Sequence, residues 1–360
     1  MRRISILLLV FCTCFALAAW PQAPPQSENK IITYDAPGAG TGAGQGTLGV
    51  GLNDFGAVAG AYLDSGYMFH GFVRNPFGKI TEFDAPNAVC GTIAINPNDA
   101  GEIDGVYYDS NCIPHGFVSD PFGNFTEFDA PNAVGGTFSQ WMNSRGLVTG
   151  YWSDSNGMSH GFVRTADGTI TEFDPPGNGG EGSTPTYINS WGAITGWWHD
   201  SKQVLHGFVR DPDGAITEFD PPDSSKNPHQ GTFPGCINDA GEVAGSYEDS
   251  NDVFHAFVRT PQGKFTEFSV PGAGKRSGQG TSGGPCNNAG VVAGGYTDSK
   301  NVSYGFVRTP DSRITKFDPP GAGTGAGQGP TIQYMNAWGA ISGWYLDSNN
   351  VNHGFLRLPF

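Results

Sequence analysis

Residues 79–89 read KITEFDAPNAV, and close variants of this stretch recur along the whole chain. The variants are NFTEFDAPNAV at 124–134, TITEFDPPGNG at 169–179, AITEFDPPDSS at 215–225, KFTEFSVPGAG at 264–274, RITKFDPPGAG at 313–323 and KIITYDAPGAG at 30–40. The chain therefore contains seven copies of one repeat that is 45 to 49 residues long. A period of this size is typical of propellers and solenoids.

Each repeat has four short segments with the alternation of β-strands, which we call a (GTxxxxxN), b (GxVxGxY), c (xxxHGFVR) and d (ITEFD). An N-x-x-G turn joins a to b, and a D-S turn joins b to c. The asparagine always precedes the His position of strand c by 17 residues, whereas the connection from d to the next a varies in length. Four antiparallel strands repeated in this way predict blades, and the variable connection predicts a surface loop.

We therefore expect an all-β fold, a seven-bladed β-propeller of four-stranded antiparallel blades. The repeats occupy residues 30–360 and predict a single domain there. Because this region starts with a d strand and ends with a c strand, the N-terminal strand should complete the last blade and close the ring. An open solenoid of seven repeats is the alternative.

The sequence of segment c also resembles a motif of a known family. The chain is similar to the HAF-family extracellular repeat proteins, whose motif stands here as His255-Ala256-Phe257 and as His-Gly-Phe in five other copies. The similarity covers residues 30–360, and it implies a secreted protein of propeller type without a defined activity. The sixth copy departs from the motif because Tyr304 replaces the histidine.

The N-terminal residues predict export. Arg2 and Arg3 precede a short apolar run, and an Ala-Leu-Ala sequence follows at 16–18. This pattern is typical of a signal peptide at 1–18, and residues 19–29 would then be a short linker. An uncleaved N-terminal anchor is the alternative, although the apolar run is short for a membrane span. We expect a secreted, extracellular or periplasmic protein with no membrane insertion after cleavage.

The net charge of the chain limits the classes of partner that it is expected to bind. Of the 19 basic residues two lie in the predicted signal, which contains none of the 34 acidic residues, so the mature chain would carry a formal charge of −17. Such a chain is unsuited to nucleic acid, whose phosphates need cationic contacts. We expect a monomer that contacts a polysaccharide or a protein of the cell envelope.

Six histidines at one repeat position suggest a metal site or a structural role. The six are His70, His115, His160, His206, His255 and His353. Equivalent positions in different blades are spread around a ring, whereas a metal ion requires its ligands within about 2 Å. We therefore predict no metal site at these histidines and a structural hydrogen bond instead, to the backbone or to the aspartate six residues earlier in the same D-S turn.

Aspartates recur in the D-S turns and at the ends of the d strands, and both sets should lie on the face that carries the variable loops. Calcium binds such oxygen ligands. The chain contains no D-x-D-x-D-G loop, so turn formation is the simpler role. We expect no cofactor, with calcium as the alternative.

Positions that break the repeat are the better guides to a binding site, because identical positions explain only the scaffold. Trp141, Tyr187 and Tyr334 lie two residues before the turn asparagine, where other copies have small or polar residues. They could stack on a sugar in the channel or be buried in the core. The loop Asp223–Gln230 contributes His229, and the loop Gly272–Gln279 contributes the basic pair Lys275 and Arg276.

Four cysteines lie outside the predicted signal. Cys90 in a d-a loop and Cys112 in a b-c turn should lie on the same face of one blade, and we predict a disulfide between them. Cys236 and Cys286 lie two residues and one residue before their asparagines. Since alternate residues of a strand point in opposite directions, we expect two free buried thiols there.

These features favour a secreted binding module that presents its d-a loops to a polysaccharide or an envelope protein. An enzyme, such as a hydrolase or lyase with a site over the channel, is a second hypothesis. We identify no converging set of catalytic residues, so we predict none. A purely structural component of the envelope is the third hypothesis.

Overall fold

The computed structural model describes residues 30–177 and 182–359, and the predicted signal peptide (1–18) and linker (19–29) lie outside them. The described residues form 28 β-strands. Among these residues there is no helix of the length and apolar character that crossing a bilayer requires. The chain is therefore all-β over the described ranges, as its two-residue periodicity predicts.

The strands repeat in the order a, b, c, d. The a strands are β2 (Gly46–Leu52), β6 (Gly91–Pro97), β10 (Thr137–Met142), β14 (Ser183–Ile188), β18 (Thr232–Ile237), β22 (Gly280–Cys286) and β26 (Gly329–Met335). The b strands are β3 (Val58–Leu63), β7 (Ile103–Tyr108), β11 (Val148–Ser153), β15 (Ile194–His199), β19 (Val243–Glu248), β23 (Val292–Thr297) and β27 (Ile341–Leu346).

The remaining strands are the third (c) and the fourth (d) strand of each repeat. The c strands are β4 (Phe69–Arg74), β8 (Pro114–Ser119), β12 (Ser159–Arg164), β16 (Leu205–Arg210), β20 (Phe254–Arg259), β24 (Ser303–Arg308) and β28 (Asn352–Arg357). The d strands are β1 (Ile31–Tyr34), β5 (Ile80–Phe83), β9 (Phe125–Phe128), β13 (Ile170–Phe173), β17 (Ile216–Phe219), β21 (Phe265–Phe268) and β25 (Ile314–Phe317).

Consecutive strands pair antiparallel and form four-stranded units. Unit 1 is β2–β5, unit 2 is β6–β9, unit 3 is β10–β13, unit 4 is β14–β17, unit 5 is β18–β21, and unit 6 is β22–β25. Unit 7 consists of β26–β28 and the N-terminal strand β1, which pairs with β28 in the register Ile31 to Arg357. The first and last strands of the described chain thus belong to one unit.

The phenylalanine of the HGF motif explains how neighbouring units pack. Phe72 is fully buried and meets the ring of Tyr34, in the preceding d strand, edge-on at 6.1 Å. The arginine that ends the same c strand, Arg74, lies over the same Tyr34 ring at 5.2 Å. Equivalent edge-on pairs join Phe83 to Phe117 and Phe317 to Phe355. The repeated H-G-F-V-R motif therefore supplies the contacts between units.

A glycine of strand b leaves space for that phenylalanine. A Cβ atom added to Gly60 would lie 2.9 Å from the Phe72 ring and 2.1 Å from the carbonyl oxygen of Leu48. Both neighbours belong to the same unit as the glycine. Since no real Cβ tolerates such distances, the position requires glycine, which explains its recurrence in all seven repeats.

Two disulfides cross-link the chain. Cys90 and Cys112 are bonded, with their Cα atoms 5.3 Å apart, as the sequence predicts. Cys236 and Cys286 are also bonded, at a Cα separation of 5.9 Å, so the prediction of two free thiols is wrong. The prediction assumed regular alternation of side chains. Both strands instead carry a β-bulge just before the cysteine, which breaks that alternation.

Candidate functional site

The two ends of the strands form two faces with different chemistry. The a-b turns and the c-d turns lie at one end, which we call the turn face, where a Cβ atom added to Gly56 of one turn would lie 4.0 Å from Pro76 of the other. The b-c turns and the d-a loops lie at the opposite end, which we call the loop face. A hydrogen bond from Gly40 N to Leu63 O joins them at 2.8 Å.

The structure brings together Trp141, Tyr187 and Tyr334, which come from the a strands of units 3, 4 and 7. The Trp141 ring lies 5.0 Å from the Tyr187 ring and 4.6 Å from the Tyr334 ring, centre to centre. The two tyrosine hydroxyls are 3.3 Å apart. Trp141 retains only 7% of its surface exposed. These three residues, which we call the ring trio, pack on one another, and only the half-buried Tyr187 and Tyr334 leave part of their rings open for stacking on a sugar.

Burial also raises the pKa of the two tyrosines in the ring trio. Burial raises the pKa of Tyr187 to about 12, although the hydroxyl of Tyr334 acts in the opposite direction. Burial and the neighbouring Tyr187 raise the pKa of Tyr334 well above its usual value. Neither phenol therefore supplies a base at neutral pH, and both remain neutral packing groups.

A small cavity of about 170 Å³ opens on the turn face, and the ring trio forms part of its wall. Its wall includes the turn asparagines and the carboxylates of Asp54, Asp99 and Asp239. These carboxylates cap neighbouring turns, since Asp99 accepts a hydrogen bond from Asp54 N and Asp54 accepts one from Ala337 N. Burial raises the pKa of Asp54 despite the bond from Ala337. The cavity is polar, and its carboxylates serve the scaffold.

The repeated histidines lie on the loop face, each held between two aspartates and a ring. His70 is representative: its Nδ1 lies 2.9 Å from Asp84, at the end of strand d, and its ring stacks on Tyr62 at 5.1 Å. The D-S aspartate, Asp64, is more distant, at 3.7 Å from Nε2. The sequence predicted a bond to this aspartate or to the backbone, and the closer contact with Asp84 was not predicted. The cause is that strands c and d are paired neighbours, which the spacing within one turn does not show.

The same arrangement recurs with one exception among the histidines. The Nδ1 contacts are His115 to Asp129, His160 to Asp174, His206 to Asp220 and His353 to Asp35, at 2.7 to 3.0 Å. In unit 5 the d strand is followed by Ser269, and His255 bonds that hydroxyl at 3.0 Å. Its Nε2 lies 3.3 Å from Asp249, closer than in any of the other five.

His255 borders a recess of about 420 Å³ on the loop face. The wall also contains Asp223, from the loop before unit 5, and Glu267 and Phe268 of its d strand. Sequence reasoning singled out the loop that carries Asp223 but did not identify this recess. The substitution of serine for aspartate at position 269 was the available signal.

The other three residues predicted to bind a ligand lie apart from the ring trio. His229, Lys275 and Arg276 are exposed in d-a loops of the loop face. His229 has a left-handed backbone (φ 63°) and donates its backbone N–H to Gln203. The Arg276 guanidinium donates to the carbonyl of Ser299 in the next b-c turn. These side chains are accessible to solvent, but they do not lie together in one site.

The turn face carries a feature that the sequence analysis did not identify. Large aromatic side chains project from the third position of several turns: Phe55, Trp191 and Trp338 from a-b turns, and Phe77 and Phe122 from c-d turns. Phe77 is 96% exposed and Phe122 is 91% exposed. The signal was present in the sequence, since the equivalent c-d residues of units 3 to 6 are Asp167, Asp213, Gln262 and Asp311.

Among residues 30–177 and 182–359, no three His, Cys, Asp or Glu side chains lie close enough together to hold a metal ion. The repeated aspartates are instead used in turns. Asp64 Oδ1, for example, accepts hydrogen bonds from Gly66 N and Met68 N at 2.8 Å. These bonds lower the pKa of Asp64, the bond from Met68 being the strongest cause.

Comparisons with known proteins place the fold among β-propellers. The chain is similar to virginiamycin B lyase from Staphylococcus aureus, with a TM-score of 0.60 and 18% identity over 92% of this chain and 100% of that one. It is also similar to the β-propeller domain of the Trilobed protease from Pyrococcus furiosus, with a TM-score of 0.57 and 9% identity over 86% and 95%. No family model and no curated protein matches the chain. At such identities the likeness concerns the fold alone.

Proposed function

We propose that the chain is a closed propeller of seven blades, each blade being one of the units. Support comes from the turn asparagines, whose side chains bond the backbone of the next unit: Asn143 to Asn189 O, Asn189 to Asn238 O, Asn238 to Asn287 O, and Asn336 to Asn53 O. The last of these links unit 7 to unit 1. The pairing of β1 with β28 supports the same closure.

We infer that this propeller is an exported binding module, and that it docks a protein of the cell envelope. One observation carries the proposal: four exposed aromatic residues form an arc on the turn face, which we call the aromatic arc (Trp338, Phe55, Phe77 and Phe122). They belong to units 7, 1 and 2, which contact one another through Ala337, Asp54 and Asp99. Exposed apolar groups of this size mark interaction surfaces.

A protein partner fits the arc better than a polysaccharide does. Phe77 and Phe122 have no polar group with which to bond a hydroxyl-rich ligand, whereas they can enter apolar pockets of a protein. Their turns are ordered in advance, since Asn75 Oδ1 accepts from Phe77 N and Asp120 Oδ1 accepts from Phe122 N. Turns that are ordered in advance lose little backbone entropy on binding.

Other parts of the proposal rest on the sequence. Two disulfides fit a protein that resides outside the reducing cytosol. We retain, as proposals, the membership of the HAF repeat family, the monomeric state and the absence of a nucleic-acid partner. Polysaccharide recognition by the d-a loops also remains a proposal, but it has less support than protein docking, because Trp141 is buried against the two tyrosine rings.

The test is a pull-down from a detergent extract of cell envelopes with the mature protein. We expect the double variant Phe77→Ser/Phe122→Ser to lose a partner that the wild type retains. The matched control is Tyr67→Ser, which removes an exposed ring from the loop face. Equal capture by both variants and the wild type would exclude the arc as the docking surface. Binding of the wild type to a glycan array would instead favour the polysaccharide hypothesis.

A further inference from the structure

A glutamate in strand d joins each of four units to the loop before it. Glu82 accepts a hydrogen bond from Gly38 N, Glu127 from Asn87 Nδ2, Glu172 from Asn132 Nδ2, and Glu218 from Gly177 N, at 2.6 to 3.0 Å. In unit 6 a lysine replaces the glutamate, and Lys316 donates to Pro271 O. Each of these five contacts pairs a donor with an acceptor.

Unit 5 departs from this pattern. Its glutamate is Glu267, and Asp223 occupies the loop position that Asn87 and Asn132 occupy in units 2 and 3. Glu267 Oε2 accepts a hydrogen bond from the Tyr247 hydroxyl at 3.1 Å. The other oxygen, Oε1, is buried and has no hydrogen-bond partner. A carboxylate therefore stands where a donor is needed, and a buried acceptor is left unsatisfied.

The same two residues border the recess of about 420 Å³ on the loop face. Tyr247, Asp249, His255 and Phe268 complete most of its wall, and no lysine or arginine contributes to it. Three carboxylates thus surround a space that is large enough for a small organic molecule. The charge and the unsatisfied oxygen are separate observations, and both call for a group that donates hydrogen bonds and carries positive charge.

We propose that this recess binds the protonated primary amine of a small molecule or of a basic side chain. An ammonium group has three donors, which suits the carboxylates of Asp223 and Glu267 together. The rings of Tyr247 and Phe268 border the recess and can cover the carbon atoms next to the nitrogen. The site differs from the docking surface proposed above, since it lies on the opposite face.

A metal ion fits the recess less well than an amine does. Within the described ranges no three of its carboxylates and imidazole are close enough to share one ion. Asp249 is already engaged, since its Oδ1 accepts from Asn251 N and Val253 N, and its Oδ2 lies beside His255. Glu267 and Asp223 are therefore the two groups left for a ligand.

The repeat supplies its own control substitution. Asp223→Asn places in unit 5 the residue that units 2 and 3 have at this position, where Asn87 bonds Glu127 and Asn132 bonds Glu172. The new amide should donate to Glu267 Oε1 and satisfy it from within the protein. We expect this variant to lose amine binding and to melt at a higher temperature than the wild type.

The experiment is a calorimetric titration of the mature protein with two amines, glucosamine and lysinamide. N-acetylglucosamine is the neutral counterpart of the first amine, and a preference for one of the two amines distinguishes an amino sugar from a basic side chain. We expect the wild type to bind at least one amine about tenfold more tightly than the neutral sugar. Both Glu267→Gln and Asp223→Asn should reduce that affinity about tenfold or more. Glu127→Gln, the equivalent change in unit 2, should leave it unchanged.

Three results would overturn the proposal: no amine preference in the wild type, undiminished binding in both recess variants, or an equal loss in Glu127→Gln. Because Asp223 is exposed and its variant copies a pair already present in the protein, loss of folding does not complicate the outcome. A failure here leaves the aromatic arc untouched, since the pull-down uses residues of the other face.

Discussion

The Asn336 side chain donates a hydrogen bond from Nδ2 to the backbone carbonyl of Asn53, at 3.1 Å and across 283 positions of the chain. The same asparagine uses Oδ1 to accept from Trp338 N and Ala340 N within its own turn. One buried side chain thus orders a turn and ties unit 7 to unit 1. Asn189 makes the corresponding bonds to Asn238 O, Trp191 N and Ala193 N between units 4 and 5.

This pairing gives a direct test of ring closure. We expect Asn336→Ala to destabilise the protein by about 2 kcal/mol, because it leaves buried backbone groups unsatisfied. Asn189→Ala is the matched control, at a junction between units that are consecutive in sequence. In a closed ring the two variants should lose similar free energy of unfolding in urea. A markedly smaller loss in Asn336→Ala would indicate that units 7 and 1 are not firmly joined.

The sequence predicted the strands and the turns because each depends on residues close together in the chain. The N-x-x-G spacing sets a tight turn, as at Gly56, which has a φ of 88°. Contacts between units were less predictable, because those described above join residues more than 30 positions apart. The pairing of Asn87 with Glu127 and its absence at Asp223 became visible only once the d-a loops were placed against the next d strand.

The two disulfides should contribute unequally to stability. They close loops of different size, with sequence separations of 22 for Cys90–Cys112 and 50 for Cys236–Cys286. On the chain-entropy argument the first contributes roughly 3 kcal/mol and the second roughly 4 kcal/mol. We expect Cys236→Ser/Cys286→Ser to be the less stable double variant in urea unfolding. A thiol assay of the non-reduced, unfolded wild type should detect no free thiol from either pair.

For the candidate sites, sequence reasoning was most successful where one position differs among repeats. Trp141, Tyr187 and Tyr334 were singled out in this way, and they do contact one another. Whether they offered open rings or a packed cluster depended on the distance between their strands, which no spacing in the sequence specifies. The exposed Phe77 and Phe122 were detectable by the same comparison, but the turns that carry them were regarded as scaffold.

The pKa of His206 should lie above the ordinary value for histidine. The hydrogen bond to Asp220 raises the pKa of His206, while burial and the charge of Lys226 act in the opposite direction. We therefore expect Asp220→Asn to lower this pKa and Lys226→Met to raise it, as followed by NMR of the imidazole resonance. The contribution of His206 to stability should be complete below the pKa of the unfolded chain and disappear as the pH rises through the folded value.

The control for that titration is the pH dependence of unfolding. The loss of stability in His206→Asn should be greater at pH 5 than at pH 9, since the protonated ring gains more from the carboxylate than the neutral ring does. A loss that is equal at both pH values would mean that Asp220 serves only to position the neutral ring. Unchanged imidazole titration in both Asp220→Asn and Lys226→Met would contradict the assigned causes of the shift.

Asp104 should make the protein less stable as the pH rises towards neutrality. The carboxyl is fully buried between Asn96 N and Ser139 Oγ, and burial raises its pKa to about 7, against 3.8 in the unfolded chain. Between these two values only the folded state holds the proton, so the free energy of unfolding decreases with rising pH, by up to roughly 4 kcal/mol from this group. Asp104→Asn keeps an acceptor for Asn96 N without the ionisation. We expect this variant to exceed the wild type in urea stability at pH 8 and to approach it at pH 4, and a constant difference across that range would show that Asp104 does not titrate as its burial requires.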